Sequence, residues 1–253
     1  MTSWIKPAYI RRPYPASIAS IASIASLTPI DAFIANSIAS PTPIQEDITP
    51  FITFIIPTIN RDTLNRTLLS IQKQTVPHWN AIVIFDGCNP IHVLPDDKRF
   101  QYIFISKVGS KHKKRNTAGF VRNYGMNLVN TPWIGFVDDD DIITPNYIKH
   151  LMEETRITPD ADLISFRMID NNLIIPPPDC VEIKEGYIGI SFAIKTQLVK
   201  EGFIFTQDSV EDYNFVKKIK NANKKIVISP YISYLVHNSN YIKESVDLRV
   251  VIN

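Results

Sequence analysis

The pattern of apolar and polar positions changes character near residue 50. Before it, Ser17-Ile18-Ala19-Ser20 is followed by two more Ile-Ala-Ser units through Ser26 and another at Ile38-Ala39-Ser40, with prolines at 7, 13, 15, 29, 41 and 43. A period of three fits neither helix nor strand, so residues 1–48 are expected to form a low-complexity extension. From Phe51 onward, short apolar runs alternate with helical periodicities. Phe51 to Ile56 reads as a core strand stopped by Pro57, because a proline cannot donate to a central ladder. Asp62 is placed to cap a helix with Leu64, Leu68 and Ile71 on one side. Asn80 to Phe85 is a second strand ending in Asp86-Gly87, and strand–helix–strand over this length predicts a right-handed βαβ unit.

Tyr102 to Ser106 offers a third strand, and a helix from about Ala118 carries Val121, Tyr124 and Leu128 on one face. Trp133 to Val137 is a further buried strand. Tyr147, Ile148, Leu151 and Met152 mark a helix to about Thr155. Asp162 to Met168 reads as a strand, Pro176 to Pro178 as a loop and Tyr187 to Ile194 as another strand. Glu211-Asp212 opens a helix with Phe215, Val216 and Ile219 along one side, where carboxylates complement the helix dipole. Lys224 to Ile228 is a last strand, followed by an extended segment from Tyr231 to His237.

Composition narrows the function. The 253 residues carry 45% hydrophobic and 21% charged positions, ordinary for a folded domain. A net charge of +2 argues against nucleic acid or an anionic membrane as a bulk partner. Cys88 and Cys180 form no CxxC pair, so neither structural zinc nor a disulfide framework is indicated. No apolar run is long enough for a transmembrane helix. Lys6, Arg11 and Arg12 ahead of the repeats resemble the start of a targeting peptide, but serine interrupts the apolar stretch every third residue. A soluble, cytoplasmic chain is the expectation. None of the eight glycines forms GxGxxG or a Walker A loop, which disfavours dinucleotide-binding dehydrogenases and P-loop NTPases. The basic run of Lys107, Lys111, Lys113, Lys114, Arg115 and Arg122 reads first as a solvated loop, with His112 solvated inside it. Its position just ahead of an acidic cluster also suits contact with a phosphate-bearing ligand.

That cluster is Asp138-Asp139-Asp140-Asp141, at the end of the strand Trp133 to Val137. Adjacent carboxylates repel, and folding alone would not select them there. Hard divalent cations take carboxylate oxygens and leave positions open for substrate phosphates. In open α/β sheets ligands bind outside the carboxyl ends of the strands. The plainer alternative is a solvated acidic turn ahead of the next helix, with Pro145 suited to its first turn.

Four parts of the chain, the first made of two neighbouring stretches, together resemble the family 2 glycosyltransferases of the GT-A fold, over roughly residues 51 to 240. Phe54-Ile55-Ile56-Pro57-Thr58-Ile59-Asn60-Arg61 resembles the family's opening strand. Ser70-Ile71-Gln72-Lys73-Gln74-Thr75, with Trp79 beyond, resembles its first helix and turn. Arg122-Asn123-Tyr124-Gly125 resembles its Arg-Asn-x-Gly, and Asp138 to Ile142 with Pro145 its Asp-x-Asp-Asp motif. Glu211-Asp212 resembles its acidic acceptor-side pair. The fold this implies is α/β, GT-A type: a Rossmann-like, mixed, mainly parallel sheet flanked by helices. Residues 49–240 would form the domain (49–160 the nucleotide-binding half, 161–240 the acceptor half), and 241–253 a tail.

The resemblance implies an inverting, metal-dependent glycosyltransferase that moves a sugar from a nucleotide-sugar donor to a hydroxyl on a glycan, protein or small molecule. Mn²⁺ or Mg²⁺ would be held by Asp138 and Asp140, with His237 where some relatives place a late histidine. Pro57, Thr58, Asn60, Asp86, Arg122 and Asp138 would hold the nucleotide. Asp86 as acceptor for a base N–H favours uracil and hence a UDP-sugar, although Phe85 stands where the family often has a further aspartate. Asp212 would be the general base, with Asp141 and Glu211 in support. Asp139, at the motif's variable position, is expected to point away from its neighbours. Two alternatives remain: a GT-A module that binds a nucleotide or glycan without turnover, and a nucleotidyltransferase or phosphoryl-transfer enzyme using the same carboxylates.

Overall fold

The computed structural model describes residues 49–108, 118–207 and 210–237. The extension 1–48, the tail 241–253 and the basic positions Lys111 to Arg115, His112 among them, lie outside the described residues. Everything described belongs to a compact unit that starts at Asp47.

In chain order the elements are β1 (Ile52–Thr58), α1 (Leu64–Gln72), β2 (Trp79–Asp86), β3 (Phe100–Ile105), α2 (Ala118–Met126), β4 (Trp133–Phe136) and β5 (Ile142–Ile143). Then follow α3 (Tyr147–Ile157), β6 (Leu163–Asp170), β7 (Leu173–Ile175), β8 (Phe192–Lys195), α4 (Gln197–Lys200), α5 (Glu211–Asn221) and β9 (Ile226–Leu235). All strands join one sheet in the order β3-β2-β1-β4-β8-β6-β9-β5, with β7 on β6. β1 to β4 are mutually parallel, whereas β8 runs antiparallel between β4 and β6. This is the mixed, mainly parallel sheet expected. Every residue of β1 is buried, as befits a strand covered on both faces. Among the described residues no helix is long and apolar enough to cross a membrane.

Several local expectations are corrected. Pro57 does not stop β1, which continues to Thr58 and keeps Pro57 in register with Ile84. The carbonyl of Ile55 accepts from Val137 on the β4 side, and β4 pairing ends at Ile55. Two residues on, the position of Pro57 faces the same side, where β4 has already left, so the absent N–H is not missed. Asp62 does not cap α1; the N-cap is Thr63, without a side-chain cap bond, and Asp62 pairs with His92. In α2 the buried positions are Gly119, Val121, Arg122, Gly125 and Met126, while Tyr124 and Leu128 are exposed. The expected strand Tyr187–Ile194 contracts to β8, and the two late extended segments fuse into the single ten-residue β9.

Gly125 explains why α2 lies so close to the sheet. A Cβ there would meet Ile55 Cγ2 and Ile84 Cδ1 at 2.8 Å, both on fully buried side chains of the sheet. Gly125→Ala is expected to cost about 1–3 kcal/mol through overpacking, read from denaturant unfolding. Asn123, two residues earlier, clasps the main chain of Phe205: its Nδ2 donates to the carbonyl at 3.0 Å and its Oδ1 accepts from the amide at 2.9 Å. One helix thus ties β1 and β2 to the segment that leads into α5.

Candidate functional site

Because β1, β2 and β4 run parallel, their carboxyl ends open at one edge of the sheet. There a cleft of about 310 Å³ is lined by Pro57, Thr58, Asp86, Arg122 and Asp138, five of the six residues expected to hold a nucleotide. Ile59, Arg61, Ala118, Val121 and Asp139 complete its wall. Asn60, the sixth, is not among the lining residues. It sits in the left-handed region at φ 67° and its side-chain oxygen accepts from the Ile91 amide. Asp86 is 5% exposed and accepts from the Val108 amide at 2.6 Å, which anchors the chain leaving β3 beside the cleft. Gly87 follows in the left-handed region, and a Cβ there would lie 2.3 Å from Lys107 Cβ. Phe85 is fully buried and stacks on Phe104, a packing role.

The four aspartates separate onto different partners. Asp138 accepts from Arg122 Nη2 at 2.5 Å. Asp139 turns inward to 4% exposure and accepts from Thr58 Oγ1 at 2.6 Å and from the Ile59 amide at 3.3 Å. It does not stand clear of its neighbours as expected: Arg61 Nη1 bridges it to Asp140, at 2.9 and 2.6 Å. Asp141 is buried, accepting from the Tyr234 hydroxyl at 2.8 Å and the His237 amide at 3.0 Å. The same tyrosine oxygen accepts from the Asp138 amide at 3.1 Å. Burial, reinforced by the charge of Asp138, pushes the Asp141 carboxyl up to about 7 against the opposing Tyr234 hydrogen bond. Burial also raises Asp139, countered by Thr58 and Arg61. The repulsion inferred from the sequence is real, and the fold answers it with two guanidinium groups and a phenol.

Arg122 joins this turn to α5. It is 1% exposed, and its Nη1 lies 3.2 Å from Glu211 Oε1 and 3.5 Å from Asp212 Oδ1 while Nη2 holds Asp138. Burial works against its charge, but Asp138 and the two acidic residues of α5 more than compensate and keep it ionised. Its Nε is buried without a hydrogen-bond partner. The acidic pair of α5 is therefore more than helix capping: Val210 is the N-cap, with no side-chain cap bond, and both carboxylates reach Arg122. Burial raises the Asp212 carboxyl to about 7, with Arg122 pulling it down and Asp138 and Glu211 pushing it up. Its side chain remains 23% exposed, enough for a hydroxyl to approach.

Among the described residues no three His, Cys, Asp or Glu side chains stand in metal-holding geometry. The donor chemistry nevertheless fits a hard divalent ion. Asp138 and Asp140 keep 34% and 31% of their side chains open, Asp138 paired with the buried Arg122 and Asp140 with the exposed Arg61. His237 is brought to the acidic turn by its amide bond to Asp141. Its Nδ1 lies 2.9 Å from Arg66 Nη2 and 3.2 Å from the Asp140 carbonyl, so coordination would fall to Nε2.

Sequence reasoning left Arg61, Arg66 and Tyr234 out of the site. Arg61 ends the stretch that resembles the family's opening strand, and nothing local to it signals a contact with the aspartates. Arg66 donates to the Asp140 carbonyl at 2.7 Å from a helix face that reads as surface. Tyr234 meets the aspartates from β9, and nothing local to it signals that contact.

The model of the family described as glycosyl transferase family 2 matches residues 53–176. EpsH of Bacillus subtilis (strain 168), a protein named as a glycosyltransferase, is 29% identical over 113 residues, 41% of this chain and 30% of that protein. A crystal structure of S. aureus TarS 1-349 superposes with a TM-score of 0.58 at 19% identity, covering 73% of this chain and 60% of that one. The same protein has also been solved in complex with UDP-GlcNAc. The mannosyltransferase PcManGT from Pyrobaculum calidifontis, in complex with GDP-Man and Mn²⁺, superposes at 0.54 with 13% identity over 76% of this chain and 59% of that one. The chain thus spans less than two thirds of each of these proteins, and the fold it shares with the solved structures is GT-A.

Proposed function

Over residues 53–176 the chain belongs to glycosyl transferase family 2, and from that premise we propose that it is an inverting glycosyltransferase taking a nucleotide sugar, UDP-linked, as donor. Residues 49–160 supply the donor half and 161–240 the acceptor half. The observation that carries the reading is Arg122, whose guanidinium spans from Asp138 on the cleft wall to Asp212 on α5. A donor lying in the cleft is therefore one side chain away from a carboxylate able to act as a base.

Asp86 offers a carboxylate to a base N–H, which suits uracil. Pro57 and Thr58 line the cleft together with Arg122 and Asp138. Mn²⁺ or Mg²⁺ on Asp138 and Asp140, with His237 Nε2 in reach of the same turn, would neutralise charge on the departing diphosphate. Asp212 takes the proton of the acceptor hydroxyl as that oxygen bonds to the anomeric carbon. The bond to the diphosphate breaks with its electron pair leaving on the diphosphate, and attack from the opposite side inverts the centre. Asp141 and Glu211 hold the turn and Arg122 in place.

The test is incubation of the purified chain with Mn²⁺ and a panel of nucleotide sugars. Release of a nucleoside diphosphate from one donor supports the reading. Release of pyrophosphate from a nucleoside triphosphate would point instead to nucleotidyl transfer, and binding without turnover to a non-catalytic module. Asp140→Ala is expected to weaken Mn²⁺-dependent UDP binding by at least about tenfold in calorimetry, because it removes a charged donor from the cation. Unchanged binding would take Asp140 out of the metal site.

A further inference from the structure

One cation on the cleft wall has no part in the transfer described above. Arg61 follows β1 where the chain leaves the sheet, lines the cleft, and keeps 47% of its side chain exposed. Its Nη1 alone makes both contacts, 2.9 Å to Asp139 Oδ1 and 2.6 Å to Asp140 Oδ2. The two carboxylates depend on it unequally. Asp139 is held in addition by the Thr58 hydroxyl and the Ile59 amide, so its place is secured without Arg61. Asp140 keeps 31% of its side chain exposed, and Arg61 is its charge partner. An ion pair this open to water contributes little, while a divalent ion on the same oxygen brings twice the charge. The exchange is therefore easy in the direction of the metal.

We propose that Arg61 is a displaceable counter-ion: it neutralises Asp140 while the cleft is empty, cedes that carboxylate to the divalent ion, and then pairs with the donor diphosphate. The guanidinium does not have to travel. It already lines the cleft beside Asp138 and Asp139, and its planar fork suits phosphate oxygens better than an ammonium does. Arg61 and Arg122 thereby divide the work. The buried arginine is locked between three carboxylates and stays, whereas the exposed one changes partners. This inference rests on the donor-site reading proposed above.

Calorimetric titration of wild type, Arg61→Gln and Arg61→Lys with MnCl₂ alone, and then with UDP at saturating Mn²⁺, separates the two. Arg61→Gln should bind Mn²⁺ about threefold tighter, the competitor being gone, and bind UDP about tenfold more weakly. Arg61→Lys should fall between, as it keeps the charge but not the fork. If all three proteins bind Mn²⁺ and UDP alike, the donor site stands and the role of Arg61 is refuted. A weaker rather than tighter Mn²⁺ affinity in Arg61→Gln refutes it as well. If none of the three binds Mn²⁺ or UDP, the donor-site reading has failed and the Arg61 proposal goes with it.

Discussion

Asp212→Asn will lose sugar transfer while keeping donor binding. The substitution preserves shape and an oxygen facing Arg122, but it removes the electron pair that would accept the proton of the acceptor hydroxyl. A positioned base typically contributes about 10²–10⁴-fold, and a loss of that size in kcat is the expected result. The same carboxylate sets the pH profile. It acts ionised, and burial first of all lifts it to about 7. Below that pH it is protonated and idle, so kcat/KM should rise with pH, bend near 7 and level off above it. Steady-state kinetics across that range, beside calorimetry of UDP binding to the variant, provides the check. A variant that transfers at the wild-type rate would remove Asp212 from the mechanism.

Arg122→Met is expected to have the broadest effect of any single change. It leaves Asp138, Glu211 and Asp212 without their shared cation. Breaking a buried pair by deleting one partner costs about 3–5 kcal/mol, so urea unfolding should shift strongly and donor binding and transfer should fail together. Arg122→Lys keeps the charge but has only one nitrogen for three carboxylates, and a folded, weakly active protein is the expectation. This pattern differs from that of Asp212→Asn, in which transfer alone is lost. Were Arg122→Met to unfold like wild type and merely raise KM for the donor, Arg122 would be a simple nucleotide contact, the role its resemblance to Arg-Asn-x-Gly implied.

How much of this could be read before any coordinates follows from where the constraints sit. β1 and β2 are buried on both faces, which writes them as unbroken apolar runs, and the acidic turn is visible because its charge density is abnormal for a strand end. Asp86 and Asp138 could be placed on one cleft because parallel strands deliver their ends to one edge, whereas Arg122, on α2, was joined to them only by the resemblance to Arg-Asn-x-Gly. Other features depend on distant partners. Whether Pro57 ends β1 depends on where β4 departs, about eighty positions along the chain, and no window around Pro57 holds that information. The length of β9 depends on its long pairing with β6. Arg61 looks like any solvated arginine until the turn folds beneath it, and Tyr234 looks like any core aromatic until its hydroxyl is seen between Asp138 and Asp141.

The position of that hydroxyl bears on how the protein comes to be made. Synthesis delivers Asp138 to Asp141 well before Tyr234 and His237, so a nascent chain carrying the aspartates lacks the groups that seat Asp141. It also lacks β8, the neighbour of β4 on its far side. A fragment cut to residues 53–176 would stop short of all three and should not assemble a working turn when expressed alone. The smallest autonomous unit is set by the return of β9 to the acidic turn, and it is longer than the stretch by which the family is recognised.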